Sequence, residues 1–119
     1  MNYRLKRVNS LLQREVSNII LMKIKDPRVK NCTITDVEIS ADLRIAKVFV
    51  MATGDSAKDE EVINALEHAK YYIQHELSQS VILKYLPELR FFIDDTQLKA
   101  ERIEMLLKKL NKSEENSVE

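Results

Sequence analysis

Thr33-Ile34-Thr35-Asp36-Val37-Glu38-Ile39-Ser40-Ala41-Asp42-Leu43-Arg44-Ile45-Ala46-Lys47-Val48-Phe49-Val50-Met51 is the stretch on which the fold turns. Its first part, Thr33 to Ser40, is rich in β-branched residues and favours a strand. Alternation there is incomplete: Ile34 and Glu38 share parity, whereas Val37 and Ile39 take the other face. Ala41-Asp42-Leu43 reads as a connecting turn. Arg44 to Met51 is a second strand, with Ala46, Val48 and Val50 suited to a core face. Ile45, Phe49 and Met51 make its opposite face fairly apolar too. Two strands joined by so few residues pair antiparallel as a hairpin.

Helical patterns flank this hairpin. Upstream, residues 3–25 carry Leu5, Val8, Leu12, Val16, Ile20 and Ile24 at steps of three and four, and Ile19 widens the stripe. Arg4, Arg7 and Arg14 lie three and seven apart, which puts them on another face of the same helix. Pro27 disfavours helical geometry at Asp26, so Asp26-Pro27-Arg28 is a turn. Downstream, Thr53-Gly54-Asp55-Ser56 is a loop, and residues 58–84 form a second helix built on Val62, Leu66, Ala69, Ile73 and Leu77. Asp59, Glu60 and Glu61 complement its dipole. Glu88 to Asp95 is a third strand with Leu89, Phe91 and Ile93 on one face. Gln97 to Leu110 supports a last helix, and residues 111–119 read as a flexible polar tail. The order helix-strand-strand-helix-strand-helix implies an α+β fold over residues 1–110, with helices packed on one face of a three-stranded sheet.

Composition narrows the function. The 119 residues are 45% hydrophobic and 32% charged, which suits one globular domain. A lone cysteine, Cys32, excludes an internal disulfide framework and fits a reducing cytoplasm. Gly is used once, at Gly54, which excludes Gly-rich phosphate loops. No apolar run is long enough for a membrane span, and the N-terminus lacks a secretory signal. Net charge is zero, yet residues 1–30 hold eight basic side chains against two acidic ones, and residues 31–68 hold three against eight. A basic end on a neutral protein suits a polyanion such as RNA, touched by one oriented face. The plainer reading of such a run is a solvated helix face.

Catalytic parts are missing. His68 and His75 are seven apart on one helix, unlike the usual three or four for metal ligands, and read as surface histidines. Cys32 reads as a small buried hydrophobe. Asp94 and Asp95 are neighbours on a strand and should face opposite sides. No metal, cofactor or enzymatic role is expected. Of the adjacent Tyr71 and Tyr72, only one can readily face the core, and the other could equally stack on a base or lie at the surface.

Several segments together resemble one family, ribosome-binding factor A of bacteria. They are Arg4-x-x-Arg7-Val8, Ile24-Lys25-Asp26-Pro27-Arg28, Val37-Glu38-x-Ser40-x-Asp42-Leu43-x-x-Ala46-Lys47-Val48-x-Val50, and Leu86-Pro87-Glu88-Leu89-x-Phe91. The resemblance spans about residues 4–107. It implies a type II KH-like fold that binds the small (30S) ribosomal subunit and its 16S rRNA during late maturation. It also implies support of 5′-end processing and cold adaptation, with no catalysis. Arg4, Arg7, Arg14, Lys25 and Arg28 are then the expected RNA contacts, with Lys47 and Lys70 adding to them. The family more often has an Ala-x-Gly kink where this chain has Ala69-Lys70-Tyr71. Tyrosine does not adopt glycine's left-handed geometry cheaply, so a shallow kink and one bent helix over residues 58–84 both stay open. Rival readings are a protein-interaction adaptor that uses the acidic middle segment, and a KH-like module for free single-stranded RNA. A monomer is expected because no large exposed apolar stripe is legible.

Overall fold

The computed structural model describes residues 3–83 and 85–117. Its elements are α1 (Tyr3–Lys23), a single 3-10 turn (Pro27–Val29), β1 (Ile34–Ile39), β2 (Ile45–Met51), α2 (Ser56–Ser80), β3 (Glu88–Asp94) and α3 (Thr96–Ser117). The expected α+β order is present throughout. β2 is the central strand of a β1-β2-β3 sheet, antiparallel to β1 and parallel to β3. A parallel pair needs a crossover, and α2 is that crossover.

The broken alternation of the first strand has a physical cause. Ile34 pairs with Val50 but Asp36 pairs with Phe49, so Thr35 is an extra residue in a β-bulge. The bulge lets Ile34, Val37 and Ile39 all reach the core despite their mixed parity. Thr35 is fixed by its hydroxyl, which donates to Asp94 Oδ2 at 2.7 Å. At the other end of the hairpin, Leu43 N–H donates to Ser40 O (2.9 Å) and Asp42 Oδ1 accepts from Ser40 Oγ (2.6 Å) and Arg44 N–H (3.1 Å). That turn holds Leu43 at φ 63°, the left-handed region usually left to glycine.

The core lies between the sheet and two helices. α1 contributes Leu12, Val16, Ile19 and Ile20, and α2 contributes Ala65, Leu66, Ile73 and Leu77. They close over Ala46, Val48 and Val50 of β2 and over Leu89 and Phe91 of β3, all buried. Polar bonds set the helices in register. Asn9 Oδ1 accepts from Ile39 N–H at 2.8 Å, and Gln74 Oε1 accepts from Leu89 N–H at 3.0 Å.

Four expectations need correction. α1 ends at Lys23 rather than at residue 25, and Asp26-Pro27-Arg28 opens a 3-10 turn capped by Asp26. α2 starts at Ser56, because Asp55 caps it by accepting from Ala57 N–H (3.0 Å), and it stops at Ser80, where Val81 turns extended and buries its side chain. The third is the polar tail: α3 continues past Leu110 to Ser117, since Lys and Glu are good helix formers and no Gly or Pro intervenes. Val118 and Glu119 lie outside the described residues.

The fourth correction concerns packing. Only α1 and α2 cover the sheet. From Thr96 to Lys112 every side chain but the half-buried Leu98 is exposed. The radius of gyration is 18.5 Å, with extents of 67 × 37 × 19 Å. A compact chain of this length would give about 13.5 Å. α3 therefore stands away from the body. Ile103, Met105, Leu106, Leu107 and Leu110 are each more than half exposed along it.

Candidate nucleic-acid interface

Basic charge is arrayed along α1 because its apolar stripe is buried on the other side. Arg7 and Arg14 lie two turns apart on the outward side. Tyr3, Lys6, Arg7, Ser10, Leu11 and Arg14 line one shallow depression. The Arg7 guanidinium carbon sits 4.9 Å from the centre of the Tyr3 ring, a cation–π contact that positions the head without neutralising it. Arg14 Nη2 is 3.4 Å from Glu15 Oε1, but the Arg14 side chain is 68% exposed, so the pair is weak and the charge still faces outward. Arg4 borders a neighbouring groove with Leu5, Val8, Leu11, Leu43 and Tyr85.

The corner after α1 divides its charges differently. Lys25 and Lys30 are exposed. Arg28 is not available in the same way: its Nε lies 3.1 Å from both Asp26 oxygens and its Nη2 2.7 Å from Oδ2. That fork holds the Asp26 carboxyl below the usual carboxylate range, helped by the Arg28 backbone N–H. Lys23 is likewise engaged, its Nζ 2.6 Å from Glu76 Oε2 on α2, which raises the lysine and lowers the glutamate. This bond fastens the end of α1 to α2.

The seven residues expected to bind RNA therefore do not form one site. Arg4, Arg7 and Arg14 share α1, and Lys25 lies just beyond its end. Arg28 is tied to Asp26. Lys70 Nζ is 2.6 Å from Glu67 Oε2, with its side chain only 15% exposed. Lys47 points from the sheet face opposite α1 and α2, beside Glu38 on β1 and Arg90 on β3. Lys6 was missed. It lines the Arg7–Arg14 depression, but a search for steps of three and seven passes over it.

Ala69-Lys70-Tyr71 lies inside an uninterrupted α2, so no loop breaks the helix there. A tyrosine needs ordinary helical geometry, and the flanking Leu66 and Ile73 are both buried and hold the helix to the sheet. Neither adjacent ring enters the core: Tyr71 is 80% and Tyr72 45% exposed.

Other candidate groups have structural roles. His68 and His75 are exposed. Cys32 is half-buried, and burial pushes its thiol up to about 11. Asp94 is held below the usual range by hydrogen bonds from Thr96 and Thr35, whereas Asp95 is exposed and lies 3.3 Å from Lys99 Nζ. Among the described residues no group of three or more His, Cys, Asp or Glu side chains could hold a metal ion. No described helix is long and apolar enough to cross a membrane.

The comparisons with known proteins agree with this picture. A family model described as ribosome-binding factor A matches residues 4–107. A ribosome-binding factor A from Halothermothrix orenii is 43% identical over 116 residues, covering 98% of this chain and 95% of the relative. One from Caldanaerobacter subterraneus subsp. tengcongensis is 40% identical over 115 residues, covering 96% and 94%. The crystal structure of ribosome-binding factor A from Thermus thermophilus superposes with a TM-score of 0.69 at 26% identity, over 76% of this chain and 97% of that one. A homology model of the Thermus thermophilus protein, fitted into the cryo-EM map of a 30S complex, gives 0.60 at 26% identity, over 72% and 90%. With a family model matched over residues 4–107 and relatives 40–43% identical over nearly the whole chain, this chain belongs to the ribosome-binding factor A family, whose fold is KH-like.

Proposed function

We propose that this chain is a non-enzymatic factor of the cytoplasm that docks on the immature 30S subunit through its 16S rRNA, with the α1 depression turned toward phosphates. The observation that carries the reading is the outward row Lys6, Arg7 and Arg14 in a chain of this family. A Thermus thermophilus relative was fitted as part of a 30S complex, which supports the same partner here. Phosphate contacts supply affinity and orientation, and the shape of folded RNA supplies selectivity. By binding one arrangement of the rRNA more tightly than another, the factor shifts the population toward a state competent for 5′-end processing. No chemical step is needed. The reading of a module for free single-stranded RNA loses support, because α2 runs unbroken and without glycine where a phosphate-cradling loop would sit.

Sucrose-gradient sedimentation of cell extract tests the proposal. The chain should travel with free 30S particles and be absent from 70S. Retention of that position after ribonuclease digestion of the particles would overturn it in favour of a protein-held complex.

A further inference from the structure

Where the start of α1, the β1–β2 turn and the α2–β3 connection come together, they leave a groove of about 580 Å³, within the range of clefts that hold small molecules. Its walls are apolar. Leu5, Val8 and Leu11 come from α1, Leu43 from the turn, and Ile82 from the segment after α2. Tyr85 closes the groove with a side chain that is 48% exposed, and Ile82 beside it is fully exposed. Leu86 is exposed as well, so three large apolar or aromatic side chains meet water at one spot.

The backbone is held in an unfavourable form to build this site. Leu43 forms its wall from φ 63°, a conformation that disfavours any residue with a Cβ. Asp42 enforces it, since its Oδ1 accepts from Ser40 Oγ (2.6 Å) and Arg44 N–H (3.1 Å). Those bonds also commit Asp42, the one acidic residue of the lining, to the turn.

Two arginines stand at the groove. Arg4 lines it, and the Arg44 guanidinium carbon lies 5.9 Å from the centre of the Tyr85 ring. An aromatic ring joined to a guanidinium is a surface on which a nucleobase stacks. The groove is also continuous with the depression of Lys6, Arg7 and Arg14, because Leu11 lines both. A sugar–phosphate chain laid along α1 therefore passes its mouth. An apolar peptide in the groove would set its side chains against two guanidinium groups. A nucleotide meets both demands, with its base on the apolar walls and its phosphate at the arginines.

We propose that this groove takes one unpaired nucleobase of the folded rRNA, stacked on Tyr85, with its phosphates toward Arg4 and the α1 row. The inference rests on the function proposed above and adds to it a contact that is not electrostatic. Only a base free of its own stack enters, so the groove fixes a position along the RNA that charge alone does not.

Filter binding of the full chain to intact 30S particles at several salt concentrations tests it. Tyr85→Ala should weaken binding by about five- to hundredfold, the range for losing one stacked base. The salt slope should not change, because no cation is lost. Tyr85→Phe keeps the ring and should stay within about twofold. If Tyr85→Ala lowers Tm, Ile82→Asn at a fully exposed position of the same groove takes its place and should weaken binding by at least about threefold. Ultraviolet cross-linking of the bound chain should leave a nucleotide on the peptide of residues 85–90. Unchanged binding by both Tyr85→Ala and Ile82→Asn overturns the proposal. So does an equal loss with Tyr85→Phe, which assigns the effect to the hydroxyl, and so does a cross-link from that peptide to a protein, which makes the occupant a polypeptide. A triple variant of Lys6, Arg7 and Lys25 to alanine that leaves the salt slope unchanged refutes the α1 reading itself. A flattened slope beside an indifferent Tyr85→Ala refutes this inference alone.

Discussion

Substituting Lys6, Arg7 and Lys25 together by alanine removes three exposed cations with no cost to the core, since none of the three is buried. Each phosphate contact contributes about 0.7 to 0.9 to the slope of log affinity against log salt, so losing three should flatten that slope by roughly 2 to 3. At about 0.1 M salt the same loss weakens binding by about a hundredfold, about 2.7 kcal/mol. The contrast is the ion pair of Lys70 and Glu67. Changing both to glutamine removes a 2.6 Å contact, leaves net charge unchanged and takes away a cation already committed to a carboxylate. Its effect on affinity should stay under about threefold, in keeping with the small worth of such pairs. The assay is filter binding of labelled 16S rRNA or intact 30S particles at several salt concentrations. A triple variant with an unchanged slope would refute the assignment of α1, and so would a Lys70 pair that matters as much as the triple.

Further outcomes follow from burial and titration. Leu66 is fully buried and Leu21 is 72% exposed, so Leu66→Ala should cost about 2–5 kcal/mol in denaturant melts and Leu21→Ala under about 0.5 kcal/mol. The carboxyls of Asp26, Asp42, Glu76 and Asp94 are all held below their ordinary values by hydrogen bonds and cations in the fold. Their stabilisation is complete above about pH 5 and is lost as pH falls through the lowered folded values, so Tm should be flat from neutral to about pH 5 and drop below it. Asp94→Asn should lower Tm at pH 7 and shrink the acid drop; an unchanged acid profile would dismiss Asp94 as a contributor. Cys32, raised from 9.0 to about 11, should react with iodoacetamide about a hundredfold more slowly in the folded chain than after denaturation at pH 8.

What the sequence disclosed and what it hid divide along one line. Periodicity identified the buried residues of α1, β2 and β3, because burial repeats with the element. Leu12, Val16 and Ile20, then Ala46, Val48 and Val50, are all in the core. The strand β1 resisted the same test because a bulge at Thr35 shifts parity in mid-strand, and a bulge leaves no periodic trace. The candidate site was legible only as a count of charges. Spacing grouped Arg7 with Arg14, but it did not show that Arg28 closes on Asp26 two residues away or that Lys70 closes on Glu67 three residues away. Such local pairing is set by rotamers rather than by pattern. Lys47 lies apart from the α1 row for another reason: a strand's alternate residues face opposite layers, so a lysine between core positions belongs to the uncovered side of the sheet. The outward leucines of α3 carried the same periodic signal as a core helix, and only the fold shows that nothing covers them.

The unbroken α2 changes what kind of RNA contact this chain can make. A glycine at a helix break lets backbone N–H groups approach phosphates, and such contacts are short-ranged and set by chain geometry. Here every N–H along residues 69–71 is spent inside the helix. On the function proposed above, affinity comes from side-chain charge on α1, which acts over about a Debye length and is screened by salt. Long flexible lysines and arginines tolerate small errors of placement, so they suit a target whose shape is still changing. On the proposed function, release follows from the same property. When the target rearranges, a row of exposed cations loses partners one at a time, each contact worth well under the whole, and no cradle has to open. Arg7 is the exception, since the Tyr3 ring 4.9 Å from its guanidinium fixes its head. In the contact proposed here Arg7 reads position as well as charge, so Arg7→Lys should reduce discrimination between immature and mature 30S more than it reduces affinity for either.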